Sequence, residues 1–223
     1  MQMNSKAYAL YKKDINSELR TRYAVNSLVM FIIVAISVIL FSIGNEKITQ
    51  SLTAGLFWVV IFFSAMSGLS RAFVAEEERG TSLTLHLIAS PSTVFSGKLL
   101  FNLILVFCMN TIVAVLFSIL FEAFIIRNFA LFAVSFILGN TGLAIASTII
   151  AAIISKAGAK GTLYPVLSFP ILLPLILTCV QLTLLSNQGA DFIEAKFELA
   201  IVICYDVIML TGSYMLFDFV WKD

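Results

Sequence analysis

Apolar residues run through this chain in six long blocks, and polar residues gather in the gaps between them. The blocks cover about 23–43, 52–69, 99–121, 129–154, 163–185 and 199–220. Each is built from Leu, Ile, Val, Phe and Ala without period-two alternation. At about 1.5 Å per residue, each can cross a hydrocarbon core of roughly 30 Å as a helix. A transmembrane barrel would instead alternate apolar and polar positions along its strands. The pattern predicts an all-α integral membrane protein with six spanning helices. Residues 23–223 would form that domain, and residues 1–22 would precede it as a separate helix.

The first 22 residues have a different pattern. Tyr8, Tyr11, Ile15 and Leu19 recur on one helical face, with Lys12, Lys13, Asp14 and Glu18 away from it. Such a helix would lie in the membrane interface. The block that follows is too long, and begins too late, for a cleavable signal, so it is expected to stay.

Between the second and third blocks lies the longest polar gap, Ser70 to Gly97. It carries Glu76, Glu77, Glu78, Arg79, Gly80 and Thr81, then Leu83, Leu87 and Ile88, and then Ser90-Pro91. Thr81 or Ser82 can cap a helix start. The leucines form a short apolar stripe, and Pro91 is expected to stop it. A short surface helix held between two spans suits docking to a cytoplasmic partner, and a solvated connector is the alternative.

Charge fixes the expected orientation. Lys6, Lys12, Lys13, Arg20, Arg22, Arg71, Arg79, Lys98, Lys156, Lys160 and Lys222 fall on one side of a six-span layout. Lys47, Arg127 and Lys196 fall on the other. The excess of basic residues marks the cytoplasmic side, which places both termini there. Composition agrees: 60% of the 223 residues are hydrophobic and only 12% charged, about half the charge of a soluble domain. A net charge of +1 gives no basis for nucleic-acid binding. Cys108, Cys179 and Cys204 fall inside blocks with no metal or redox spacing, and read as packing residues.

Three features inside the blocks are unusual. The fourth holds Gly139-Asn140-Thr141-Gly142, then Ala144, Thr148 and Ala152. Small residues at that spacing let helices approach closely, and the Gly-Asn-Thr-Gly step could also mark a break lining a cavity. The fifth holds Pro165, Pro170 and Pro174, each of which removes a backbone hydrogen bond, so a kink or break is expected. The sixth holds Asp206, whose charge would be costly in lipid unless it faces protein or water. A structural contact at the bundle interior or at an outer vestibule is the favoured reading.

Catalytic and metal signatures are absent. Gly158-Ala159-Lys160-Gly161-Thr162 has the letters of a phosphate loop, but Lys160 does not directly precede the hydroxyl residue. His86 is the chain's one histidine, so no histidine metal cluster or Ser-His-Asp triad can form.

The Glu76–Thr81 stretch, the leucines after it and Ser90-Pro91 resemble the coupling segment of ABC-2 type permeases. The stretch from Gly139 through the basic turn Lys156–Lys160 to Pro165, Pro170 and Pro174 is similar to the heme exporter protein B family, CcmB. The spacing of the three prolines matches that family. Leu83 and Thr84 stand where the family usually carries an acidic residue, which leaves Glu76, Glu77 and Glu78 as the acidic candidates.

The resemblance implies a permease present in two copies, paired with two copies of a cytoplasmic ABC ATPase. It also implies a heme-handling membrane subunit, a small accessory subunit and a periplasmic heme chaperone. Heme would be the handled ligand and ATP would bind the partner. The chain itself would be non-catalytic, bind no cofactor directly, and lie in the bacterial inner membrane. A general ABC-2 exporter of a drug, lipid or polysaccharide is the alternative. Heme iron takes His, Met, Cys or Tyr ligands. With no histidine on the outer side, heme ligands are expected on another subunit.

Overall fold

The computed structural model describes residues 2–44, 46–69, 73, 89–156 and 163–222. Every regular element among them is a helix. In chain order these are α1 (Gln2–Thr21), α2 (Tyr23–Ile43), α3 (Gln50–Leu69), α4 (Pro91–Leu120), α5 (Phe129–Ser155), α6 (Leu163–Gln188) and α7 (Lys196–Lys222). The last six are long and apolar enough to cross a membrane.

α5 is the centre. It packs against α3, α4, α6 and α7, while α2 lies outside α3. The sequence explains this placement. From Gly139 to Ala152, α5 offers mostly glycine, alanine, serine and threonine, so backbones can come close without a large side chain between them. α2 instead presents Met30, Ile33, Val34, Val38 and Phe41 outward, a surface suited to lipid. Of the cysteines, Cys179 is buried in the bundle, whereas Cys108 and Cys204 face outward.

Aromatic side chains close the two ends. At the end with the short loops, Phe57 meets Phe117 and Phe124 at 5.4 and 5.0 Å, and Phe117 stacks on Phe121 at 4.6 Å. Asn128 fastens this end: its side chain caps α5 at Leu131 N and donates to the Ala190 carbonyl at 2.8 Å. At the end carrying both termini, Phe95 packs on Tyr214 and Phe217, and Phe217 stacks on Trp221.

Two local features differ from the sequence expectation, the start of α4 and the continuity of α6. Pro91 sits at the first helical position of α4, where its missing N–H costs no helical bond. α4 therefore starts well before its apolar run and takes in Gly97 and Lys98, with 30 residues spanning about 45 Å. α6 is one continuous helix through Pro170 and Pro174 rather than two pieces. Both prolines are exposed on its outer face, so their rings crowd no neighbouring helix. α5 is likewise unbroken through Gly139–Gly142.

α1 departs furthest. It turns into α2 at Arg22, whose φ is 53°, and the Glu18 carboxylate accepts from Val25 N at 3.0 Å. Tyr8, on the face expected to meet the membrane interface, is exposed. The flank that packs on α4 is Ala7, Leu10 and Asp14, and Asp14 is buried. The physical reason is a partner for its charge, which lies on α4.

Candidate functional site

The Gly-Asn-Thr-Gly step of α5 is a junction, where Gly139, Asn140 and Gly142 meet different neighbouring helices. A Cβ on Gly139 would run into the Trp58 ring of α3 and Cys179 Sγ of α6. Trp58 fills that space and donates its Nε1 hydrogen to Thr183 Oγ1 at 2.8 Å, tying α3 to α6. Asn140 is buried and accepts a short bond from Asn110 Nδ2 of α4, while its own Nδ2 donates to the Phe136 carbonyl at 2.7 Å. Thr141 turns its hydroxyl back to the Ile137 carbonyl, as hydroxyl residues in apolar helices do. At Gly142, a Cβ would meet Asp206 Oδ1 of α7 and Leu175 of α6 well inside contact distance.

Two turns further along α5, Thr148 accepts from Asn102 Nδ2 at 2.8 Å. Two amide side chains of α4, Asn102 and Asn110, thus hold α5 through uncharged hydrogen bonds. Nothing in the apolar pattern of α4 singled them out. The usable signal is an asparagine inside a long apolar run, since a polar group in lipid needs a partner.

Asp206 lies on the buried face of α7, with both carboxylate oxygens lacking a hydrogen-bond partner. Gly142, Leu175 and Cys179 surround the place it occupies. Its neighbour Tyr205 donates to the Ile171 carbonyl at 3.1 Å, between Pro170 and Pro174. The structure thus brings Asn140, Thr141 and Asp206 into one region of the bundle, with Tyr205 bonded to the proline-bearing turn of α6. Pro170 and Pro174 point away from that region. The Pro165 side chain lies outside the described residues.

A second site forms at the end carrying both termini. Lys98 Nζ of α4 and Asp14 Oδ2 of α1 form an ion pair at 2.9 Å, with both side chains at most 10% exposed. Gly97 makes the approach possible: a Cβ there would come within 2.9 Å of Leu10 Cβ. The Lys98 ammonium also lies 5.9 Å from the centre of the Phe73 ring, which packs on Phe217 of α7 at 5.6 Å. Sequence reading assigned Lys98 to a solvated loop and Asp14 to a polar face. The missed signal is Gly97 beside a lone basic residue, which together permit close packing and demand a counter-charge. The coupling candidates Glu76, Glu77, Glu78, Arg79, Gly80, Thr81, Leu83 and Leu87 lie outside the described residues.

The profile of the CcmB protein family matches residues 5–216. The chain belongs to the CcmB family. A search among curated proteins returns no match.

Membership in the CcmB family makes the chain a heme-exporter membrane subunit of an ABC transporter for cytochrome c maturation. It is a multi-pass protein of the inner membrane and a permease subunit of an assembly that includes an ATPase and other subunits. The matched stretch takes in most of α1, all of α2 to α6, and α7 through Leu216. Among the described residues, no group of three or more His, Cys, Asp or Glu could hold a metal ion.

Proposed function

We propose that this CcmB chain is the mechanical subunit of its transporter. Both termini face the cytoplasm, and two copies pair with two copies of the ATPase. Residues Glu76–Thr81, with Leu83 and Leu87, dock the ATPase. Hydrolysis on that partner drives delivery or release of heme toward a periplasmic chaperone, with a heme-handling subunit and a small accessory subunit alongside. The match through residues 5–216 carries this reading, because it spans the docking segment together with five membrane helices and most of the sixth.

The bundle supports a division of labour. Its centre is filled by close helix contacts at Gly139 and Gly142 and by paired amides, so the helices move as packed bodies. Asn140, Thr141, Asp206 and the prolines Pro165, Pro170 and Pro174 belong to the α5–α6–α7 region where such a movement would be felt. Histidine ligands to the iron fall to another subunit, since the chain's one histidine, His86, lies in the docking segment.

The docking assignment is tested by reversing the charges of Glu76, Glu77 and Glu78 to lysine, and separately by Gly80→Pro. Co-purification of the ATPase should fall about tenfold or more, a loss of roughly 1.4 kcal/mol of binding. Membrane insertion should be unchanged, and cytochrome c assembly should be lost. ATPase recruitment and cytochrome c assembly at normal levels in these variants would refute it.

A further inference from the structure

The Lys98–Asp14 pair has no role in the docking scheme above, yet it is placed between two of its parts. Phe73 belongs to the stretch that joins α3 to α4, the same stretch that carries the docking residues. Its buried ring has the Lys98 ammonium 5.9 Å from its centre and packs on Phe217 of α7 at 5.6 Å. Lys98 in turn holds Asp14 of α1. Gly97 lets α1 lie directly on the α4 backbone, with Leu10 and the Ala7 carbonyl in the space a side chain would take. An ion pair this buried is a poor source of stability, because desolvation offsets most of its attraction. It is a good source of register, because a buried Asp14 carboxylate without the Lys98 ammonium is strongly disfavoured.

We propose that Asp14 and Lys98 are positioning residues that lock α1 to the start of α4, so that the N-terminal helix moves with the α4 end into which the docking stretch leads. The proposal rests on the reading of residues 76–87 as the docking segment. A push on that segment reaches α4 through the chain and through Phe73. It reaches α1 through Lys98 and Asp14, and α2 through the turn at Arg22. Without the pair, the ATPase would still dock, but its stroke would be delivered to α4 without α1.

The test uses the complete transporter with Asp14→Asn, Lys98→Met and the swapped pair Asp14→Lys with Lys98→Asp. The readouts are co-purified ATPase, ATP hydrolysed and holocytochrome c formed. Each single variant should keep the ATPase attached and hydrolysing within about twofold, while holocytochrome c per ATP falls about tenfold. The swapped pair should restore that ratio to within about threefold. A ratio unchanged in the single variants, whatever happens to the amount of complex, overturns the proposal. So does a swapped pair as uncoupled as the singles. Loss of ATPase attachment in the Gly80→Pro variant is a separate readout, so failure of the docking reading is told apart.

Should the single variants fail to accumulate, a cross-link decides. Leu10→Cys with Gly97→Cys, in a background with Cys108 and Cys204 replaced by serine, joins α1 to α4. The helices would part by roughly 1 Å to reach disulfide geometry. Oxidation should leave holocytochrome c formation intact, since the two helices travel together. A loss on oxidation that is reversed by reductant, and that the same background without the two new cysteines does not show, overturns the proposal.

Discussion

α5 and α7 are neighbours of the same length, 27 residues each, and their membrane-spanning stretches have nearly equal hydropathy. Yet 78% of the apolar window of α5 is buried in the bundle, against 17% of that of α7. Hydropathy selects helices that can cross a membrane, but it does not rank them by depth, because lipid and protein interior are both apolar. Residue volume does rank them. α5 carries small residues through its centre, while α7 presents Phe197, Ile201, Val207, Ile208, Met215 and Phe219 outward. In lipid the gain comes from close packing rather than from leaving water, so the helix with the smallest side chains becomes the hub.

Two glycines give the sharpest break of this comparison. Gly142 of α5 has Asp206 and Leu175 where a side chain would go, whereas Gly212 of α7 has nothing within 4 Å. Gly142→Leu should therefore destabilise the bundle by about 3 kcal/mol or prevent its accumulation, because backbone and packed side chains must shift. Gly212→Leu should stay within about 0.5 kcal/mol. Denaturant titration of the purified protein in detergent measures both. Equal losses at the two positions would mean that the depth difference does not govern packing.

How much of this was readable beforehand follows from the same distinction. The six apolar blocks exposed the helical membrane architecture, because the need to bury backbone groups in lipid leaves few other solutions. The Gly139–Gly142 step stood out because small residues in such a run are costly unless something approaches them. The partners did not stand out. Trp58, Asn110 and Asp206 come from three other helices, and no spacing within α5 names them. At the other site, Lys98 looked like one more positive charge on the cytoplasmic side. Its burial depends on Asp14, which lies 84 positions earlier, and on the missing side chain at Gly97. Local periodicity placed Asp14 on the wet side of α1 because it weighs charge against water, not against a counter-charge from elsewhere.

The amide pair sharpens the comparison at smaller scale. Asn110 and Asn140 satisfy each other across α4 and α5, with Ser64 of α3 close by. Asn140→Leu leaves Asn110 buried without its acceptor and should cost about 1–2 kcal/mol. Asn110→Leu should cost a similar amount. The double variant should cost less than the sum, since neither partner is left stranded. A double-mutant cycle in the same detergent titration gives the coupling directly. A coupling of zero would show that the two amides hold water or lipid instead of each other.

Asp206 is the place where the rim helix behaves like the hub. It is on the face of α7 that α5 and α6 cover, and its carboxyl rests on the space that Gly142 leaves open. The side chain fits the gap in shape but not in polarity, because neither oxygen has a partner. If shape is what the position requires, Asp206→Asn keeps it and removes the cost of a carboxylate in an apolar site. Stability should then rise by up to about 1 kcal/mol, the smallest of the effects considered, because asparagine still buries an amide. A fall of more than about 2 kcal/mol would have the opposite meaning, since removing one member of a buried pair costs that much or more. Asp206 would then be paired in the working protein, and α7 would owe its place to a charge rather than to the gap in α5.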